Sequence, residues 1–417
     1  MSPVASYRRL FALTGPLYVL VAFVGRLPLA MSQLGTLLLV SGATGSYAAG
    51  GASAGALAVA NAIGAPVAGA LTDRIGQRLV LTVQSLVGAA GMIALVLLSQ
   101  RLEPGAPWWP VAAVAALAGL FTPQVGTMAR VRWRPISRHH GMERRSVVDA
   151  AFSYEGAADE ASFVLGPALV GAVAALIDPA AALVAAGLML AVFGTWFALH
   201  PTSSLVVPEH GTAPRGRLVS PTLVILAGIQ LSVGIVFGSV QTGTSVLATL
   251  AGEPGLTGGL HALLGVGSVL AGLAVVAVPD TFSYEGRLRV FTLALTLLSL
   301  PLLLVGSIGT LVPVLLVLGL AIAPAMITTF TLTERVADPR QLGAAMTVLA
   351  ATTGLGYAVG SSIAGRLADW GGHTPAYAVT VGGATLALLL SVLGHRALRS
   401  AQQPAPAADR LTGSHSA

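Results

Sequence analysis

Gly69-Ala70-Leu71-Thr72-Asp73-Arg74-Ile75-Gly76-Gln77-Arg78 is a short polar interval set into apolar sequence. Residues 47–71 before it and 79–98 after it are dominated by Ala, Gly, Val and Leu. Each flank supplies the ~20 apolar residues that a helix needs to cross the hydrocarbon core of a bilayer. The interval is therefore a turn between two antiparallel spans, and Asp73, Arg74 and Arg78 mark one membrane surface.

The rest of the chain repeats this alternation. Of its 417 residues, 55% are hydrophobic and 9% are charged, whereas a soluble domain carries roughly 25% charge. So little charge cannot cover a water-facing surface. The periodicity predicts twelve spans, at 11–40, 47–71, 79–98, 109–128, 147–177 and 180–199, then 220–250, 258–278, 290–308, 311–331, 343–364 and 376–398. Barrel strands would instead be shorter and would alternate. The run after Arg8 and Arg9 outlasts the 7–15-residue apolar region of a secretory signal and shows no small-residue cleavage site, so it reads as the first span.

All basic residues are arginine, and their placement follows the membrane. With the N-terminus cytoplasmic, 19 of the 22 fall in inside loops; Arg101 and Arg366 fall outside and Arg26 within the first span. Both termini are then cytoplasmic, and a net charge of +6 dispersed over many loops is no nucleic-acid footprint. There is no cysteine, and without lysine the chain has no phosphate-loop Lys for ATP-driven work. No enzyme motif and no cofactor-binding motif is present.

A polar stretch with three prolines, 200–219, divides the chain into residues 1–199 and 220–399, and 400–417 reads as a disordered cytoplasmic tail. A faint repeat supports the division: Gly119-Leu120 with Pro123 is echoed by Gly319-Leu320 with Pro324.

The turn at 69–78 resembles the signature Gly-x-x-x-Asp-Arg-x-Gly-Arg-Arg/Lys of the major facilitator superfamily. Gly69, Asp73, Arg74, Gly76 and Arg78 match, and Gln77 stands where that family has a basic residue. The resemblance implies twelve transmembrane helices in two pseudo-symmetric six-helix bundles that rock about a central site. It also implies that Asp73 meets the N-terminal end of the eleventh helix near Leu342 and Gly343, closing the cytoplasmic side. Arg74 and Arg78 read equally well as anchors at the membrane surface. Glycines at 51 and 55, at 156, 166 and 171, at 265 and 272, and at 356 and 360 fall in the second, fifth, eighth and eleventh spans, where such bundles would slide on one another.

Charges inside the membrane carry the chemical reading. A charged side chain at the bilayer centre costs ~2.5–3.5 kcal/mol even on a gentle scale, which directs attention to Arg26, Glu155, Asp159 and Glu160. Glu155 and Asp159 lie about 40° apart on one helix face and Glu160 further round. The expected contact is Arg26 with Glu160 or Asp159, with Glu155 and Glu160 favoured to titrate during transport. A buried ion pair locking the first helix to the fifth is the plainer reading.

Gly166-Pro167 resembles the Gly-Pro core of the fifth helix in the superfamily's exporters; a packing kink is the alternative. Gln124, Gln230, Gln241 and Tyr357 are candidate cavity-lining groups, with Gln230 and Gln241 about 20° apart on one face. His261 lies near the outer end of its span. His139, His140 and Glu143 have no metal-ligand spacing, so no metal site is expected. Together these features predict a proton-coupled exporter of a small hydrophobic or amphipathic compound, monomeric, in a bacterial inner membrane, its partners being substrate, protons and lipid. A sugar or organic-acid importer is the first alternative, disfavoured because only Arg26 is central, and a membrane sensor or scaffold is the second.

Overall fold

A computed structural model describes residues 3–45, 47–102, 107–139, 145–207, 220–253, 256–279 and 281–400. Twelve of its helices have the length and apolarity to span a membrane: α1 (Ala5–Thr44), α2 (Ala49–Ile75), α3 (Gln77–Ser99), α4 (Trp109–His139), α5 (Val147–Leu176), α6 (Pro179–Leu199), α7 (Pro221–Leu250), α8 (Thr257–Ala277), α9 (Tyr284–Leu304), α10 (Ile308–Val336), α11 (Pro339–Ala368) and α12 (His373–Leu393). Starts are set by side-chain caps that satisfy the first free N–H groups. Asp178 accepts from Ala181 N ahead of α6, Ser220 from Leu223 N ahead of α7, and Ser307 from Thr310 N ahead of α10.

The largest departure from the sequence reading is α4, expected at 109–128. It runs to His139 and is broken at 121–124, around Pro123. Asn61 of α2 repairs the break, its Nδ2 donating to the carbonyls of Gly119 (3.0 Å) and Thr122 (2.8 Å). Beyond Met128 the helix continues although apolar sequence ends, because Arg130 and Arg132 find buried partners. These two arginines are therefore not loop residues. The ninth span also begins earlier than expected, at Tyr284 rather than 290.

Helices α1–α6 pack on one another, as do α7–α12, giving two six-helix bundles that meet along α2 with α11 and α5 with α8. With an even number of spans, both ends of the chain lie on one face, the termini face. Near that face an apolar layer joins the bundles through Val131 and Phe152 of the first and Ile327, Phe330, Met346 and Leu349 of the second. At Gly69 and Gly343 the backbones of α2 and α11 come so close that a side chain at either would strike the other helix. Other glycines depart from expectation. Gly356 and Gly360 press on Leu231 and Ile235 of α7, inside the second bundle, while a side chain at Gly51, Gly55 or Gly171 would point into open space. The linker residues 208–219 and the tail 401–417 lie outside the described residues.

Candidate functional site

Helix α5 presents Glu155 and Asp159 one turn apart toward α1 and α4. Arg26 of α1 reaches both: Nη2 is 2.5 Å from Glu155 Oε2 and Nη1 is 2.9 Å from Asp159 Oδ1. Trp133 of α4 donates from Nε1 to the other Glu155 oxygen at 2.7 Å. Arg130, also on α4, places Nη1 2.7 Å from Asp159 Oδ2 and lays its guanidinium 4.4 Å from the ring centroid of Phe330 on α10. Two guanidinium groups thus meet two carboxylates, and the cluster is formally neutral.

Its two halves differ. Glu155 is fully enclosed, whereas the Asp159 side chain keeps 19% of its exposure. Removing one partner of a buried pair leaves an uncompensated charge worth ~3–5 kcal/mol. Gly126 of α4 makes the arrangement possible, since a Cβ there would collide with Asp159 Oδ1.

Arg130 lies beyond the expected end of the fourth span at 128, so the sequence does not mark it as a site residue. The available signal was charge balance, because one arginine cannot neutralise two adjacent buried acids. The expected Arg26–Glu160 contact is not formed. Glu160 lies about 100° round the helix from Asp159 and leaves the α1 side. It is buried against α8, where its carboxyl group approaches the Ser268 hydroxyl, and among the described residues it has no ion pair. Ser268 Oγ itself is enclosed with no formed hydrogen bond.

The remaining candidates separate. Gln124 donates to Asn61 Oδ1 at 2.7 Å and belongs to the repair of α4. The Tyr357 hydroxyl donates to Gln241 Oε1, while Gln230 is fully buried with neither amide atom partnered, so the two glutamines do not act as one site. Pro167 sits within an uninterrupted α5, and Gly166 lets that helix press on Ala30 of α1. Among the described residues no three His, Asp or Glu side chains could hold a metal ion; His140 and Glu143 lie outside them.

The termini face is closed by polar ties between the bundles. Asp73 Oδ1 and Oδ2 accept from the N–H groups of Gly343 (2.9 Å) and Ala344 (2.8 Å), which open the α-helical part of α11 at Leu342, where the helix dipole adds ~0.3–1 kcal/mol. Arg74 and Arg78 are exposed, as surface anchors are. Sequence reading missed a second tie, in which Arg335 of α10 and the Tyr284 hydroxyl of α9 both donate to Asp149 of α5. Arg134 and Glu334 make a third at 3.4 Å.

Beneath the first bundle, Arg132 holds the start of the linker, donating to Phe197 O (2.8 Å) and Thr202 Oγ1 (3.1 Å). His200 lies just beyond α6 in the same nest. Burial, with the nearby Arg132 charge second, holds its imidazole below the ordinary 6.5.

Residues 280–414 match the Major Facilitator Superfamily family model. In fold the chain is similar to the human organic anion transporter MFSD10 (TETRAN), at 18% identity over 89% of this chain and 98% of that one, TM-score 0.66. It is similar to a bacterial homologue of the iron transporter ferroportin in an outward-facing state, at 13% identity over 91% and 98%, TM-score 0.72. A third is the superfamily transporter FucP in the outward conformation, at 14% identity over 94% and 100%, TM-score 0.62. No curated protein matches the chain in sequence. The chain thus has the fold of these transporters along its length, and over residues 280–414 its sequence resembles the major facilitator superfamily.

Proposed function

We propose that this transporter fold serves proton-coupled export of a small hydrophobic or amphipathic compound by alternating access, with the termini face cytoplasmic in a bacterial inner membrane. The observation that carries the reading is Glu160, a mid-membrane acid at the contact between the bundles that has no ion pair among the described residues. A buried carboxylate without a counter-charge is costly to keep in a membrane span unless it has a purpose, and carrying a proton through the cycle is such a purpose. Glu155 and Asp159, each tied to arginine, serve as a structural cluster. Orientation rests on the arginine bias, which persists with Arg130 and Arg132 removed from the loops.

A second reading, uptake of an organic anion, gains one observation. Arg130 joins Arg26 near the centre, so the argument that only one arginine is central no longer counts against it.

The test is discharge of a proton gradient in everted membrane vesicles, followed by acridine-dye fluorescence while a panel of lipophilic compounds is added. Compounds that discharge the gradient with wild-type protein and fail with Glu160→Gln support the reading. Equal discharge by both, or transport indifferent to the gradient, overturns it.

A further inference from the structure

His261 and Ser268 of α8 are seven residues apart, about 10 Å along the helix and about 20° around it. They share the face that packs on α5: Gly265, between them, receives Val164, and Gly272, one turn on, meets Ala157. His261 is half-buried with Nδ1 enclosed and unpartnered, and Ser268 Oγ is likewise enclosed and unpartnered. An enclosed polar atom without a hydrogen bond costs ~1–3 kcal/mol, a penalty that apolar residues would avoid. Here two such groups stand in a row on one face, and the row ends at Glu160.

Among the described residues no competing charge faces this row. Helix α7 carries none. On α10 the charged residues Glu334 and Arg335 lie at the termini end, and α1 meets α8 toward that end, where the Tyr7 hydroxyl donates to Leu273 O. On α5, Glu155 and Asp159 are turned to Arg26 and Arg130. Glu160 is thus the acid that α8 faces.

We propose that His261 and Ser268 form the proton route to Glu160 from the face opposite the termini. The His261 imidazole takes a proton at that face and passes it through water to the Ser268 hydroxyl. That hydroxyl donates its own proton to the Glu160 carboxylate and accepts the incoming one, so that one proton moves and no group is consumed. Val164, seated over Gly265, is the apolar constriction on this route. The proposal rests on the reading that Glu160 carries the proton.

The experiment needs no substrate. Proteoliposomes on a solid-supported membrane are stepped from alkaline to acidic pH, and the transient charge displacement is recorded. Wild-type protein gives a transient, and Glu160→Gln abolishes it. His261→Phe and Ser268→Ala each slow its relaxation about tenfold while preserving the total charge moved. A transient that survives in Glu160→Gln overturns the coupling reading. Loss in Glu160→Gln with wild-type kinetics in both His261→Phe and Ser268→Ala overturns the route alone. Should His261→Phe misfold, as seen by size-exclusion chromatography, His261→Gln with Ser268→Ala keeps the test decisive.

Discussion

Asp149 of α5 and Arg335 of α10 face one another across the boundary between the bundles, Nη2 of the arginine lying 3.0 Å and 3.2 Å from the two carboxylate oxygens. The Tyr284 hydroxyl donates to the same carboxylate at 2.5 Å, and Arg335 stacks 3.8 Å over the tyrosine ring. Asp73 ties α2 to α11 at the same face. Two carboxylates of the first bundle thus hold the second bundle shut, one by a side-chain charge and one by a helix end.

Asp149→Asn weakens this closure without removing a core side chain. Because the chain has no cysteine, Ser153→Cys at a buried position of α5 is a reporter without background. Labelling by a membrane-impermeant maleimide applied from the termini side should quicken roughly fivefold, the partly exposed pair contributing about 1 kcal/mol. Unchanged labelling would show that the tie does not restrain opening.

Glu155 and Glu160 should separate cleanly. Glu155→Gln leaves Arg26 and Arg130 to share Asp159 alone, one buried positive charge in excess, and should cost ~3–5 kcal/mol, seen as a melting temperature lower by several degrees in detergent. Glu160→Gln removes no ion pair and should melt within about 1 °C of wild type, because changes that break no named interaction are small. A Glu155→Gln protein as stable as the parent would deny Arg26 its role as clamp.

Gly126→Ala should destabilise by ~1–3 kcal/mol, because the added methyl displaces the carboxylate shared by Arg26 and Arg130. In an Asp159→Ser background the same change should be nearly silent. A double-mutant cycle on melting temperatures checks the coupling, and additive costs would place the clash elsewhere.

The depressed His200 imidazole makes a pH prediction. Below its ordinary 6.5 the unfolded chain binds the proton more readily than the folded chain, so stability falls as pH drops through that value. Above it the contribution is complete. Melting curves in detergent on the two sides of that value should show the fall, and His200→Phe should flatten it.

Much of the fold was legible because apolar length and loop arginines are direct physical requirements of a bilayer. Asp73 was legible through its motif, and the structure puts it at Gly343 and Ala344 as the resemblance implied. The site was half legible. Arg26, Glu155 and Asp159 stood out as charges in apolar sequence, whereas Arg130 follows the end of the apolar run and looked like a loop residue. Its burial depends on Asp159, Phe330 and the break in α4, partners 29 and 200 residues away or dependent on Asn61 of another helix. The Asp149 tie escaped for the same reason, its partners lying 135 and 186 residues further along the chain.

The balance of the Arg26, Arg130, Glu155 and Asp159 cluster has an electrical consequence. A single charge moved across the membrane feels ~2.3 kcal/mol per 100 mV, so an unbalanced cluster would make every swing of α5 answer to the membrane voltage. Two cations matched to two anions carry no net gating charge. The resting potential therefore exerts no net force on the scaffold through this cluster, and any voltage dependence of the cycle is left to Glu160 and to the charges that come and go, the proton and the cargo.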